Sequence, residues 1–207
     1  KIVRVGGRIS YAPNYEELIG HNIVSKGCDD KVGVFVVAEA LRLVQEKKGN
    51  NKCEIYSVST TMEEIGARGA MTAAGGIEPD IGIAVDVTHS TDYPEGDKKL
   101  AGEVKLGKGP VIARGANISP ILFDKLVEIA EKKKIPYQIE AAPKATGTDA
   151  NTIQTSGKGV ATALISIPNR YMHTPSEVVN LKDLENAAKL IAEFILKAIC
   201  PLCTVVH

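Results

Sequence analysis

"IGIAVDVT", residues 81–88, is a nearly continuous apolar run with one carboxylate inside it, and it decides the fold class. An amphipathic strand would alternate apolar and polar residues, whereas a run of this kind suits a strand covered on both faces. Its neighbours supply the cover. Residues 30–48, DKVGVFVVAEALRLVQEKK, keep polar Glu39, Arg42 and Glu46 on one face of a predicted helix that ends near Gly49. The strand-like CEIYSVST follows, then a short Ala/Gly-rich helix near 67–75. Downstream come a helix near 119–134, the strand PYQIEA, the buried-type strand VATALISIP at 160–168, and an amphipathic helix over 181–199. This alternation predicts an α/β layered domain with a largely parallel central sheet. Residues 1–27 are short, β-like and turn-rich instead.

Composition narrows the function classes. The 207 residues carry 25 basic and 25 acidic side chains, which removes the electrostatic reason to expect nucleic acid or an anionic membrane surface as partner. No apolar run approaches the roughly 20 residues of a membrane span, and the opening KIVRVGGRIS lacks the apolar stretch and cleavage site of a signal peptide. A cytoplasmic location is the expectation. Four cysteines, Cys28, Cys53, Cys200 and Cys203, sit in a chain long enough to have its own core, so a reducing compartment is the simpler setting. A lone C-x-x-C pair in a tail is weak evidence for metal or redox chemistry.

In such folds ligands bind beyond the carboxyl ends of the strands. Acidic residues and a histidine fall at those places: Asp29 and Asp30 open the first long helix, Glu63 and Glu64 follow the second strand, Asp86 lies near the end of IGIAVDVT, and His173 follows VATALISIP. Asp, Glu and His without a nearby cysteine form an oxygen/nitrogen donor set suited to Zn, Co or Mn. Each residue also has an ordinary reading. Asp29 or Asp30 serves equally as a helix cap, the two glutamates as a solvated loop, and His173 as a structural histidine. Asp86 is different, because a carboxylate within AVDV is expected to be buried and to need a partner or a metal. Asp149 in "GTDA" reads first as a helix cap and second as a pocket-lining residue. His21, His89 and His207 have no evident partner, although His89 lies three residues after Asp86.

Six ordered segments, KGCDDKVG, TTMEEIGARGA, AVDVTHS, KLGKGPVI, GTDANTI and ISIPNRYMHTPSEVV, resemble the tetrahedral (TET-type) metallo-aminopeptidases from about residue 18 to 197. These are also called glutamyl or deblocking aminopeptidases, and sometimes endoglucanases. The resemblance implies a three-layer, zinc-peptidase-like catalytic domain over residues 18–199. It also implies two divalent metal ions, zinc or cobalt, peptide substrates and a homo-oligomer, a dodecamer in the family. By this resemblance Asp29 bridges the two ions and is joined to Asp30 by a cis peptide bond. Glu64 and His173 complete one ion's ligands, Asp86 belongs to the other, and Glu63 is the general base acting on a metal-activated water.

One family feature is missing. The family draws a further ligand for the second ion from an H-x-D motif, separated from the bridging aspartate by an inserted PDZ-like β domain, and no H-x-D occurs in these 207 residues. Residues 1–17 accordingly read as a remnant of that insert, 18–199 as the C-terminal part of the catalytic domain, and 200–207 as a tail. An N-terminal segment is expected to be missing. The second metal site is expected to be incomplete, and the isolated chain to have little activity. The alternative is a non-catalytic assembly or peptide-binding subunit. A glycoside hydrolase is disfavoured, because paired carboxylates must flank a sugar ring and this chain has no tryptophan to line a sugar groove. The specificity pocket is expected to be lined by residues 89–109 and the region near 145–152.

Overall fold

The computed structural model describes residues 3–12, 14–47, 53–94, 96–197 and 202–206. The expected helix and strand alternation is present, with a small antiparallel sheet set in front of it. β1 (Tyr15–Glu17) pairs with β2 (Asn22–Ser25), and β2 with β8 (Glu177–Asn180). Behind it lies a six-stranded sheet. Its members are β3 (Glu54–Val58), β4 (Ile81–His89), β5 (Val111–Gly115), β6 (Gln138–Ala142), β7 (Ala161–Asn169) and β9 (Leu202–Val206), in the order β3-β9-β4-β7-β5-β6.

β3, β9, β4 and β7 are mutually parallel, while β5 runs antiparallel to β7 and parallel to β6. The sheet is therefore mixed, with its parallel part carrying the strand ends of interest. Residues 202–206, expected as a tail, instead form an interior strand between β3 and β4. The partner of Cys203 in the C-x-x-C pair, Cys200, lies outside the described residues, as do residues 48, 198 and 199 of the two expected helix ends.

Helices cover both faces. The first half of strand β4 is apolar on both faces because Gly82 meets the Ile153 side chain of α5 (Asp149–Gln154) on one face. Alternation turns Ile83 and Val85 the other way, toward the face where α1 (Cys28–Glu46) packs against β4 and α6 (Leu181–Lys197). A fourth helix, α4 (Pro120–Lys133), packs on β5 and α6 and starts at Ser119, whose hydroxyl accepts from the Leu122 amide. On the α5 side lies α2 (Arg68–Ile77), and the short α3 (Lys98–Ala101) lies beside β6. None of the described helices is long and apolar enough to cross a membrane.

The core runs through β4, β7, α1, α4 and α6, with Ile83, Ile165, Leu190 and Ile191 fully buried. Truncating Ile191 to alanine removes a packed side chain in the middle of α6 and is expected to cost about 2–5 kcal/mol of unfolding free energy. Chemical denaturation measures it, and a loss below about 1 kcal/mol would contradict this placement of the core.

Candidate metal centre

The parallel arrangement of β3, β4 and β7 brings their carboxyl ends to one rim, and the predicted residues gather there. β3 is followed by a 3-10 turn, Glu63–Ile65, bracketed by Met62 (φ 61) and Ala67 (φ 50) in the left-handed region. Non-glycine residues there carry about 1–3 kcal/mol of backbone strain each, a cost seen mostly where a side chain must be aimed. His173 (φ 63) is held in the same region. The two glutamates differ: Glu63 is partly buried, whereas Glu64 is exposed.

Asp29 and Asp30 are joined by a cis peptide bond, as the resemblance implied, and both leave helical φ/ψ values at the start of α1. Their roles divide. The Asp30 carboxylate accepts the Gly33 amide at 2.8 Å and so caps the helix. A Cβ at residue 33 would lie 2.1 Å from that carboxylate, so glycine is required there. Asp29 points to the rim instead. Its Oδ2 lies 3.0 Å from His173 Nε2, which is 3.9 Å from Glu64 Oε2.

Donor atoms of Asp29, Glu64 and His173 lie within 4.8 Å of one another. A tetrahedral ion bound at about 2.0–2.2 Å holds its donors about 3.3–3.6 Å apart. The spacing and chemistry of the three groups fit such an ion. Asp86 borders the same cavity, with its Oδ1 accepting the Val87 amide at 2.7 Å, but it is not within this set of three.

The electrostatics point the same way. The cavity here, about 160 Å³, is lined by Asp29, Asp30, Glu63, Glu64, Asp86 and Asp149, with only Thr60 and Val85 besides. Six carboxylates and no basic side chain make a site in which charge is unfavourable. Burial lifts the carboxyl of Asp29 above the ordinary range, and the Glu64 and Glu177 charges add to it. Asp30 is raised further by burial. Burial raises Glu63 too, with Asp149 and Glu64 adding repulsion. Asp86 is pushed up to about 9, first by burial and then by the Asp30 charge. A bound cation reverses this balance, because it favours the charged form of every carboxylate around it.

A pH dependence follows. A carboxyl with a raised folded-state pKa holds its proton in the folded protein after the unfolded chain has lost it. For Asp86, folding is therefore penalised progressively as pH rises from about 4, the ordinary carboxylate value, to about 9. Metal-free protein should melt at a lower temperature at pH 8 than at pH 5, and zinc or cobalt should recover more of the loss at pH 8. A melting temperature that rises from pH 5 to pH 8 without metal would contradict this electrostatic picture.

Three features escaped the sequence. Glu177, fully buried on β8, accepts the Asp29 amide at 3.3 Å and the His173 amide at 3.2 Å, and so ties both donor segments together. Its only trace in the sequence is an acidic residue heading the apolar pair of SEVV. Asp149 is not the helix cap: Thr148 caps α5, and the buried Asp149 accepts from Thr60 Oγ1 at 2.7 Å, which ties α5 to the end of β3. The pocket matches expectation in its 145–148 wall but differs in the long connection. Among the described residues of 89–109, only His89 lines the larger cavity beside the site, together with residues 140–148. The rest of that connection is anchored elsewhere, through the Arg170–Asp92 ion pair and the Gly107 and Gly109 amides donating to buried Asp183.

A family model of the M42 glutamyl aminopeptidases matches residues 1–190. The chain is 41% identical to a lysyl aminopeptidase of Pyrococcus furiosus over 199 residues, covering 96% of this chain and 55% of that protein. It superposes on a TET aminopeptidase from a marine-sediment Thaumarchaeota archaeon with a TM-score of 0.83 at 29% identity, covering 89% of this chain and 52% of the other. It also superposes on the Pyrococcus horikoshii TET1 peptidase, described as able to assemble into a tetrahedron or a large octahedral shell (TM-score 0.70, 28% identity, 91% and 54% covered).

Helices on both faces of a mixed sheet, with acidic strand ends at one rim, define an α/β peptidase-type core. More narrowly, the chain belongs to the M42 glutamyl aminopeptidase family. It spans about half the length of the relatives it matches.

Proposed function

We propose that this chain forms the larger part of the catalytic site of a metal-dependent aminopeptidase, which removes N-terminal residues from peptides. The observation that carries the reading is the cavity of six carboxylates beside the Asp29, Glu64 and His173 donor set. Asp29, Glu64 and His173 would hold one divalent ion, zinc or cobalt. When bound, it supplies Lewis acidity, acidifying a water and polarising the scissile carbonyl.

The remaining work falls to the chain's own groups. Glu63 faces the same cavity without belonging to the donor set. Its raised pKa suits a group that accepts a proton from the attacking water and returns it to the leaving amine. The water oxygen bonds to the carbonyl carbon, the C–N bond breaks, and the amine departs with the returned proton. Asp29 and Asp86 stand on the cavity wall as carboxyl groups that a bound cation would hold in the charged form, suited to a free α-ammonium group or to a second ion. They give that second ion fewer donors than the first, so we place it as the weaker site in this chain. Glu177 keeps Asp29 and His173 in place through their amides.

The same reading extends to assembly and setting. The self-assembling Pyrococcus horikoshii relative supports a homo-oligomer, and the buried Cys28, which is in no disulfide, suits a reducing, cytoplasmic compartment. The test is release of p-nitroaniline from aminoacyl p-nitroanilides by the zinc- or cobalt-loaded protein. Release should stop on chelation, and N-acetylated substrates should be refused. Chelator-insensitive release, or equal use of N-acetylated substrates, would overturn the reading.

A further inference from the structure

A second groove, about 370 Å³, meets the metal set at His173 and leads away from it, between residues 10–11, the start of α1 and residues 174–175. None of the residues around the six-carboxylate cavity lines it. Its own charged side chains, apart from His173, are Lys26 and Lys31, and no carboxylate lines it among the described residues. The rim therefore changes sign at His173, from acidic on the Asp86 side to basic on the other.

The two lysines are held in place without being neutralised. Lys26 Nζ donates to the Ser10 hydroxyl at 2.9 Å and to the Tyr11 carbonyl, and Lys31 Nζ donates to the Gly27 carbonyl at 3.2 Å. All three acceptors are uncharged. An ammonium group has three donor hydrogens, so one remains on Lys26 and two on Lys31 for a ligand. Gly27 makes room for this arrangement: it has φ 65, and a Cβ there would collide with the Lys31 ammonium.

Peptide direction gives the groove its place. With the scissile carbonyl at the ion and the α-amino group at the Asp86 end, the chain beyond the scissile bond leaves on the opposite side, past His173. An extended chain advances about 3.3–3.6 Å per residue. A carboxyl group on the next residue is thus only one or two such steps from the ion, within the reach of a lysine side chain.

We propose that Lys26 and Lys31 form a subsite for a carboxylate on the residue that follows the scissile bond, either its terminal carboxyl or an acidic side chain. The assignment deepens the aminopeptidase reading and rests on it. The probes are phosphinic pseudodipeptides, which resist hydrolysis, titrated by calorimetry into the zinc-loaded protein. One pair has leucine followed by alanine, as the free acid and as the terminal amide. The other has leucine followed by glutamate or glutamine, both as terminal amides. The first pair reports the terminal carboxyl and the second the side chain. In at least one pair the carboxylate compound should bind about fivefold tighter or more, as two partly exposed ion pairs together provide.

Lys31 is exposed, so Lys31→Met should fold, and it leaves the ties of Lys26 to residues 10–11 in place. It should at least about halve the preference, and adding Lys26→Met should remove it. Equal binding within both pairs, a preference unchanged in Lys31→Met, or binding of none of the compounds would each overturn the assignment. Titration of chelator-treated protein separates the two levels. A carboxylate preference that persists without metal and falls in Lys31→Met upholds the subsite while counting against the metal-dependent reading.

Discussion

Replacing Glu63 by glutamine is expected to lower turnover of aminoacyl p-nitroanilides by about a hundred- to ten-thousandfold, the range over which a positioned general base acts. Zinc affinity should be nearly unchanged. The two effects separate because Glu63 borders the cavity without belonging to the set of donor atoms formed by Asp29, Glu64 and His173. Glutamine keeps the shape and an acceptor oxygen but cannot carry a proton away from the attacking water. The ratio of variant to parent carries the test, so it holds even if the parent is slow. Equal rates would remove Glu63 from its role, and a parallel loss of zinc would make it a ligand instead.

His173→Ala is expected to weaken zinc or cobalt binding by more than about a hundredfold, beyond the ten- to hundredfold typical of groups that only support a ligand. The imidazole is the single nitrogen donor of its set and lies within 4 Å of both Asp29 and Glu64. Without it two carboxylates remain, which is a poor zinc site. Because His173 is exposed, the variant should fold, and its melting temperature without metal should stay close to the parent's. Calorimetric titration gives the affinity. Unchanged binding would mean that the ion sits elsewhere in the cavity.

The sequence revealed elements whose pattern is local. IGIAVDVT announced a strand covered on both faces, and LKDLENAAKLIAEFILKAI announced a helix with one buried stripe; β4 and the described part of α6 have nearly those bounds. The three donors were legible because each follows or opens a regular element, and parallel strands bring those ends to one rim. What stayed hidden depends on contacts between distant segments. Leu202–Val206 gives no sign in itself that it will lie between β3 and β4, since parallel pairing has no hairpin to announce it. β5 follows a long polar connection and was legible only as part of a motif. Glu177 acquires its role when the 170–176 turn folds back onto the start of α1, and Glu140 looks like any polar residue in an edge strand until Thr88 reaches it.

The measurement closest to the central claim is anomalous diffraction at the zinc edge from crystals of this chain grown with zinc. A peak within bonding distance of Asp29, Glu64 and His173, and absent from His173→Ala crystals, is the predicted result. A peak elsewhere, or none in crystals of the parent chain that hold zinc in excess, would contradict the assignment of this rim as a metal centre.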